Sequence, residues 1–148
     1  MRVVSLLDVN VLIAMFDSDH IHHDIAHDWF SEEGEVGWAT CPLTENGFLR
    51  TANTGRRHAF VPLSGLIAHL IKVRSREGHH FWSDDVTFGD SRLFNAPGIH
   101  GRRQLTDVYL LGLAVRHGGR LVTFDHKIPL AAVKGARAEH LVVLATSE

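Results

Sequence analysis

Hydrophobic residues along the chain are arranged in two alternating patterns. Short apolar runs bounded by polar or turn-forming residues predict buried strands, and they lie at residues 3–7, 36–40, 80–82, 120–124 and 141–144. Between these runs, apolar residues recur every three or four positions, which predicts helices with one apolar face. Such stretches lie at residues 9–16, 22–33, 42–49, 66–78 and 105–117. Strands that alternate with helices predict an α/β sandwich around a mostly parallel sheet.

The predicted boundaries coincide with residues that begin or end helices. Asp8 can cap the first helix, Pro42 suits the first turn of the third, and Gly118 closes the fifth. Residues 83–101 have little periodicity, and a long irregular segment inside a compact domain is often functional. No repeat or linker interrupts the pattern, so residues 1–148 are expected to form one domain.

The composition is that of a globular protein without disulfides. The chain has 148 residues, 45% of them hydrophobic, which is enough for one well-buried core. Cys41 is the single cysteine, which suits a reducing compartment, and it is expected to be a small buried residue. Asp8 and Asn10 interrupt the N-terminal apolar run, and no other run reaches the roughly 18 residues of a membrane span. A soluble, cytoplasmic protein with no membrane partner is expected.

The net charge of −2 gives the chain no general attraction to nucleic acid. A nucleic-acid partner would have to be held by local arginines and by metal ions. Composition alone therefore favours no class of partner.

Four acidic residues are placed alike relative to the predicted strands. Asp8 and Asp125 directly follow the first and fourth strands. Glu45 lies in the first turn of the helix after the second strand, and Asp107 lies near the start of the helix that precedes the fourth. In an open parallel sheet these positions share the edge formed by the carboxyl ends of the strands. We expect the four carboxylates to converge there.

Convergent carboxylates repel each other, which indicates a bound cation. Two unit charges ~4 Å apart cost about 4 kcal/mol at an effective dielectric constant near 20. Oxygen-only donors suit Mg²⁺ or Mn²⁺, and two such ions promote phosphodiester hydrolysis by activating water and stabilising the leaving oxygen. For single residues an alternative stays open, because Asp8 and Asp107 can each be a helix N-cap and nothing more.

Four segments that contain these acids resemble the motifs of the PIN-domain family. They are Leu7-Asp8-Val9-Asn10-Val11-Leu12, Thr44-Glu45-Asn46-Gly47-Phe48-Leu49-Arg50, Leu105-Thr106-Asp107 with residues 110–114, and Leu121-Val122-Thr123-Phe124-Asp125. Their order and spacing span essentially the whole chain. The small size and the segment Phe81-Trp82-Ser83-Asp84-Asp85-Val86 look most like the VapC toxins of bacterial toxin–antitoxin pairs.

The resemblance implies a fold, an activity and partners. It implies a PIN-like three-layer sandwich with strand order 3-2-1-4-5, a Mg²⁺- or Mn²⁺-dependent endoribonuclease, a homodimer and a cognate antitoxin. It makes the four acids the catalytic and metal-binding residues: Asp8, Glu45, Asp107 and Asp125. It makes Asn10 and Thr123 groups that orient carboxylates or water. It does not fix the RNA target.

Polar residues near the acids have a functional and an ordinary interpretation. His100, Arg102 and Arg103 precede Asp107 closely, so they are either contacts to RNA phosphates or plain basic surface. Three acids in the irregular segment are expected to be solvated, with an approach of one to the metals as the alternative: Asp84, Asp85 and Asp90. His126 is expected to be a surface neighbour of Asp125.

Other residues attract attention by their type. A group of four histidines includes a pair with the spacing of a helical metal site, but no third ligand is evident, so a solvated helix face is favoured: His20, His22, His23 and His27. Arg56 and Arg57 are expected to be solvated in a turn. The tryptophans are expected in the core or a dimer interface and not as platforms for bases: Trp29, Trp38 and Trp82.

Three other functions fit the sequence less well. A catalytically inert PIN fold that binds RNA or assembles with other proteins would have no need of four repelling carboxylates. A haloacid-dehalogenase-like phosphatase requires a second aspartate two residues after the first, where this chain has Asn10. A phosphoaspartate receiver domain requires its nucleophilic aspartate after the third strand and a later lysine. Neither the phosphatase nor the receiver domain fits this sequence well.

Overall fold

The sheet is fully parallel. The computed structural model describes residues 3–56 and 59–144, and within them five strands form one sheet in the order β3-β2-β1-β4-β5. The strands are β1 Ser5–Leu7, β2 Trp38–Thr40, β3 His79–Phe81, β4 Arg120–Thr123 and β5 Leu141–Val143. The predicted α/β class and the strand order 3-2-1-4-5 are confirmed.

Five α-helices connect and cover the strands. They are α1 Val9–Phe16, α2 His23–Trp29, α3 Pro42–Thr51, α4 Leu63–Arg74 and α5 Leu105–Arg116. The helix predicted over residues 22–33 is in fact α2 followed by a π-helical turn, Phe30–Gly34. A Cβ at Gly34 would lie 2.6 Å from Cζ3 of Trp29, so the residue that closes this turn has to be glycine.

The two faces of the sheet are covered by different helices, which gives the three layers. Side chains alternate between the faces along each strand. Leu6 and Leu121 pack against α5, whereas Leu7 and Val122 pack against α1 and α2. The three tryptophans are all buried, as predicted. Cys41 is also buried, and burial raises the pKa of its thiol to about 11.

Helix α4 is the least buried of the five. It begins three residues before the predicted start at Leu66 and ends at Arg74. Of its apolar residues only Leu66 is buried, while Ile67 and Ile71 are 40% and 64% exposed. An apolar cavity separates part of α4 from α1 and α3, with Leu70 in its lining. The apolar pattern therefore located the helix correctly but overstated its contact with the core.

The irregular segment before α5 packs onto that helix. Phe94 pairs with Val133 in an isolated antiparallel bridge, and a Cβ at Gly112 would lie 2.4 Å from the Phe94 ring. Two short 3-10 turns, Ala96–Gly98 and Arg102–Gln104, lead into α5. No helix in the described ranges is long and apolar enough to cross a bilayer.

Candidate active site

Asp8 lies buried at the carboxyl end of β1, where α1 begins. Its Oδ1 accepts a hydrogen bond from the backbone N–H of Val9 at 2.7 Å, and its Oδ2 accepts one from the Thr123 hydroxyl at 2.7 Å. Burial raises the pKa of Asp8, and the charge of Asp125 raises it further. Asp8 is thus the N-cap that the sequence suggested, but it is also a buried acid beside a second acid.

Asp107 and Asp125 influence each other directly. Asp107 lies in the first turn of α5, while the N-cap of that helix is Gln104, so the N-cap interpretation of Asp107 is wrong. Burial, a hydrogen bond with the Asp125 carboxyl and the charges of Asp8 and Asp125 raise the pKa of Asp107 to about 7. Asp107 therefore keeps its proton to a higher pH than an isolated carboxyl would, because its ionised form is poorly solvated and repelled by its neighbours.

Thr123 connects the acids of neighbouring strands. Its hydroxyl donates to Asp8 and accepts from the backbone N–H of Asp125 at 3.0 Å and from Nδ2 of Asn10 at 3.3 Å. Oδ1 of Asn10 accepts in turn from the backbone N–H of Phe124 at 3.3 Å. These bonds fix the side chain of Asp8 and the backbone that leads into Asp125.

Glu45 lies in the first turn of α3, at the same edge of the sheet, but its contacts differ from those of the three aspartates. Its Oε2 accepts from the Thr40 hydroxyl at 2.7 Å and lies 3.4 Å from Nε of Arg74. The charges that raise the pKa of Asp107 are those of Asp8 and Asp125. The described structure thus brings three of the four predicted acids into electrostatic contact, while the recorded contacts of Glu45 are with Thr40 and Arg74.

A basic groove adjoins the aspartates. Asp107 and Asp125 form part of its wall, and its other side chains include His100, Arg102, Arg103 and Lys127. The three predicted basic residues are exposed there. Lys127 was not predicted, although its position two residues after Asp125 is a sequence signal that would have suggested it. Its backbone N–H donates to Oδ1 of Asp125 at 2.8 Å.

The acids suit a hard divalent cation by their chemistry. They offer only oxygen donors, and the raised pKa values of Asp8 and Asp107 indicate that their negative charges lack compensation. Within residues 3–56 and 59–144, no three His, Cys, Asp or Glu side chains are arranged to enclose an ion. The donor set therefore fits Mg²⁺ or Mn²⁺, while the ligand geometry is not formed in this arrangement.

The histidine group is not a solvated helix face, and that prediction is wrong. His23 Nδ1 lies 2.7 Å from the carbonyl oxygen of Ala14, and His27 Nε2 lies 3.0 Å from that of Met15. His22 stacks on Phe124. The histidines thus join α2 to the end of α1.

Arg56 is likewise not solvated as predicted, because its guanidinium lies over the Phe16 ring and 3.8 Å from Asp17. Arg57 lies outside the described residues. Asp84, Asp85 and His126 are exposed, as expected. Asp90 pairs with Arg92 at its surface position.

Comparison with known proteins gives the family. A family model described as PIN domain matches residues 5–134. The chain belongs to the PIN-domain family. The resemblance seen in the four acidic motifs is therefore confirmed, and the PIN domain covers every candidate residue named above.

Curated relatives of this PIN-domain protein match most of its length. Ribonuclease VapC44 of Mycobacterium tuberculosis (strain CDC 1551 / Oshkosh) is 43% identical over 140 residues, which cover 95% of this chain and 99% of that protein. Ribonuclease VapC39 of the same strain is 40% identical over 134 residues, covering 90% and 96%. Ribonuclease VapC38 of strain ATCC 25618 / H37Rv is 43% identical over 123 residues, covering 82% and 85%.

Proposed function

We propose that this PIN-domain protein is a Mg²⁺- or Mn²⁺-dependent endoribonuclease, the toxin of a VapBC-type toxin–antitoxin pair. The observation that carries the proposal is the cluster of Asp8, Asp107 and Asp125 beside an open basic groove. The names of the relatives support ribonuclease activity.

The acids would hold the cations, with Glu45 as the fourth ligand beside Asp8, Asp107 and Asp125. Bound divalent ions would lower the pKa of the attacking water and neutralise the charge on the leaving oxygen of the phosphodiester. Thr123 and Asn10 would keep Asp8 in one orientation through the hydrogen bonds described above.

The basic side chains would hold the RNA. His100, Arg102, Arg103 and Lys127 share the groove with two of the acids, so a phosphate bound by these side chains would lie close to the acidic cluster. This local arrangement would compensate for the net charge of −2, which gives no general attraction to RNA.

The proposal has two further parts: the protein pairs with a cognate antitoxin, and it forms a homodimer. Both rest on the resemblance to the VapC relatives. Induction of the chain in a bacterial host should arrest growth, whereas Asp8→Asn should not. Light scattering of the purified protein should give twice the mass of the 16.5 kDa chain.

The decisive experiment is cleavage of a defined, structured RNA by the purified protein with Mn²⁺ or Mg²⁺. Cleavage should disappear in EDTA and in Asp8→Asn, and it should persist in Asp28→Asn, which changes an exposed aspartate of α2. Mn²⁺ should raise the melting temperature of the wild type, because a ligand that binds only the folded state stabilises it.

A catalytically inert RNA-binding or assembly module is the second candidate, because no ligand cage is formed among the described residues. RNA binding with neither cleavage nor a Mn²⁺-dependent rise in melting temperature would favour it. Mn²⁺ binding without cleavage of several RNAs would instead indicate a nuclease with a narrow choice of target.

A further inference from the structure

A chain of hydrogen bonds runs from the edge strand of the sheet to Glu45. His79 begins β3, Thr40 ends β2, and Glu45 lies in the first turn of α3. Nε2 of His79 lies 2.8 Å from the Thr40 hydroxyl, which lies 2.7 Å from Oε2 of Glu45. Three elements of the fold thus meet at one carboxylate oxygen.

The donor of each hydrogen bond follows from the number of hydrogens that each group carries. A carboxylate oxygen only accepts, so the single hydroxyl hydrogen of Thr40 goes to Glu45. Nε2 of His79 must then carry a hydrogen and donate it to the Thr40 oxygen. Burial and the charge of Arg74 lower the pKa of His79 to about 4, which keeps its ring neutral at pH 7.

The surroundings hold the chain of hydrogen bonds in place. Thr40 is fully buried. The His79 ring packs edge-on against the buried Trp38 with 4.7 Å between ring centroids. On the other side of Glu45, the Arg74 guanidinium pairs with the same oxygen, Oε2, and lies 4.7 Å from the Phe81 ring centroid.

The two oxygens of Glu45 are therefore unequal. Oε2 receives the Thr40 hydrogen bond and the Arg74 ion pair. Oε1 has neither a hydrogen bond nor an ion pair with any described residue, while Glu45 as a whole is 9% exposed. An oxygen left in this way has both lone pairs available to a further partner.

We propose that Thr40 and His79 are positioning residues that fix Glu45 through Oε2 and so present Oε1 to the divalent cation. This inference rests on the proposed metal-dependent function. Partners that orient a ligand through hydrogen bonds typically change metal affinity about 10–100-fold when removed. Neither residue lines the basic groove, so both act on the metal site and not on the RNA.

The test is Mn²⁺ affinity, measured by calorimetry on the purified full chain. Thr40→Val removes the hydroxyl at nearly constant volume and should weaken Mn²⁺ binding about 10–100-fold, while Thr40→Ser should restore it. His79→Phe keeps the packing on Trp38 and should weaken binding less. Arg74 is left unchanged, because its replacement would have two opposing effects. Loss of its positive charge would strengthen Mn²⁺ binding, whereas loss of its ion pair with Glu45 would weaken it.

The double variant distinguishes a chain of hydrogen bonds from two separate effects. Because His79 acts only through Thr40, Thr40→Val with His79→Phe should bind Mn²⁺ no more weakly than Thr40→Val alone. His80→Phe, at the exposed neighbouring position of β3, should bind like the wild type. In RNA cleavage Thr40→Val should lower kcat and leave KM unchanged, since the RNA groove is intact.

Each outcome decides the inference. Wild-type affinity in Thr40→Val, or additive losses in the double variant, would overturn the role of Thr40 and His79 and leave the proposed nuclease standing. A wild type that binds no Mn²⁺ would overturn the metal-dependent function and this inference together. Circular dichroism of each variant confirms that the fold is retained, and His79→Phe provides the test if Thr40→Val is unfolded.

Discussion

At the scale of single residues, Asp8 and Asp107 show why a carboxylate near a helix start is ambiguous in sequence. Asp8 both caps α1 and feels the charge of Asp125, whereas Asp107 is not the N-cap of α5 and has a pKa raised by burial and by Asp125. Sequence position alone made the two look alike. The difference arises from burial and from neighbours that are far away along the chain.

Replacement of Asp107 by asparagine should stabilise the protein without metal. The pKa of Asp107 is raised from 3.8 to about 7 in the folded protein. The folded state thus holds this proton more tightly than the unfolded chain. The stabilisation that this bound proton gives the folded protein is complete below about pH 4 and is lost as the pH rises through about 7. An asparagine amide can still donate to Asp125, but it has no proton to lose.

The measurement is the melting temperature in EDTA from pH 4 to pH 8. Between these values the wild type should lose more stability than Asp107→Asn, and at pH 8 the variant should melt a few degrees higher. Asp107→Asn should also abolish RNA cleavage. Equal pH dependence of the two proteins would count against the carboxyl pair, and Asp28→Asn is the control for the loss of an exposed charge.

At the scale of elements, the histidines of α2 stabilise the end of α1. The last carbonyl groups of a helix have no partner within it. The oxygens of Ala14 and Met15 lie in the last turn of α1 and receive hydrogen bonds from His23 and His27. The sequence showed the spacing of the two histidines but not that α2 would lie against the end of α1, so it could not distinguish a helix cap from a solvated face.

His23→Phe and His27→Phe should each lower the free energy of unfolding by about 1 kcal/mol, the net value of one hydrogen bond. Urea denaturation measures this. Phenylalanine retains the ring, so the loss reports mainly the missing bond. Zn²⁺ should not raise the melting temperature of Asp8→Asn, in which the acidic cluster is weakened. A clear rise that disappears in His23→Phe would show that these histidines bind metal after all.

At the scale of the whole molecule, the sheet brings the acidic edge and the basic groove together. The C-terminal ends of β1 and β4 lie side by side, and the 3-10 turn before α5 places Arg102 and Arg103 in one groove with Asp107 and Asp125. This topology brings the negative carboxylates and the positive arginines close together in space. In the proposed function, a chain of nearly neutral net charge would thereby gain a local site for a polyanion.

Removal of groove charges should weaken RNA binding without removing the acids. In an Asp8→Asn background, which prevents cleavage, Arg102→Gln with Arg103→Gln should raise the Kd for single-stranded RNA. It should also reduce the slope of log K against log salt by about 0.7 for each phosphate that the variant no longer neutralises. Arg50→Gln with Arg116→Gln is a matched control, because these exposed arginines end α3 and α5 at the far side from the acids. An equal effect of both pairs would refute the groove as the RNA site.

The sequence by itself determined the order and type of the elements and the edge at which the acids lie. Apolar periodicity reports which face of a segment is buried, and a residue that follows a parallel strand has only one edge to occupy. The alternation of strands and helices, the parallel sheet and the placement of Asp8 and Asp125 were therefore predictable. The strand order came from the resemblance to PIN domains.

Only the tertiary structure decided which groups meet. The Asp107–Asp125 pair, the Thr40–His79 bonds to Glu45 and the packing of Arg56 on Phe16 join residues that are distant in sequence or lie on different elements. The weak burial of α4 likewise depends on how closely the neighbouring elements pack against it. A pattern along one segment reports that segment's own preference for burial, whereas distances, pKa shifts and hydrogen bonds depend on how several segments pack together.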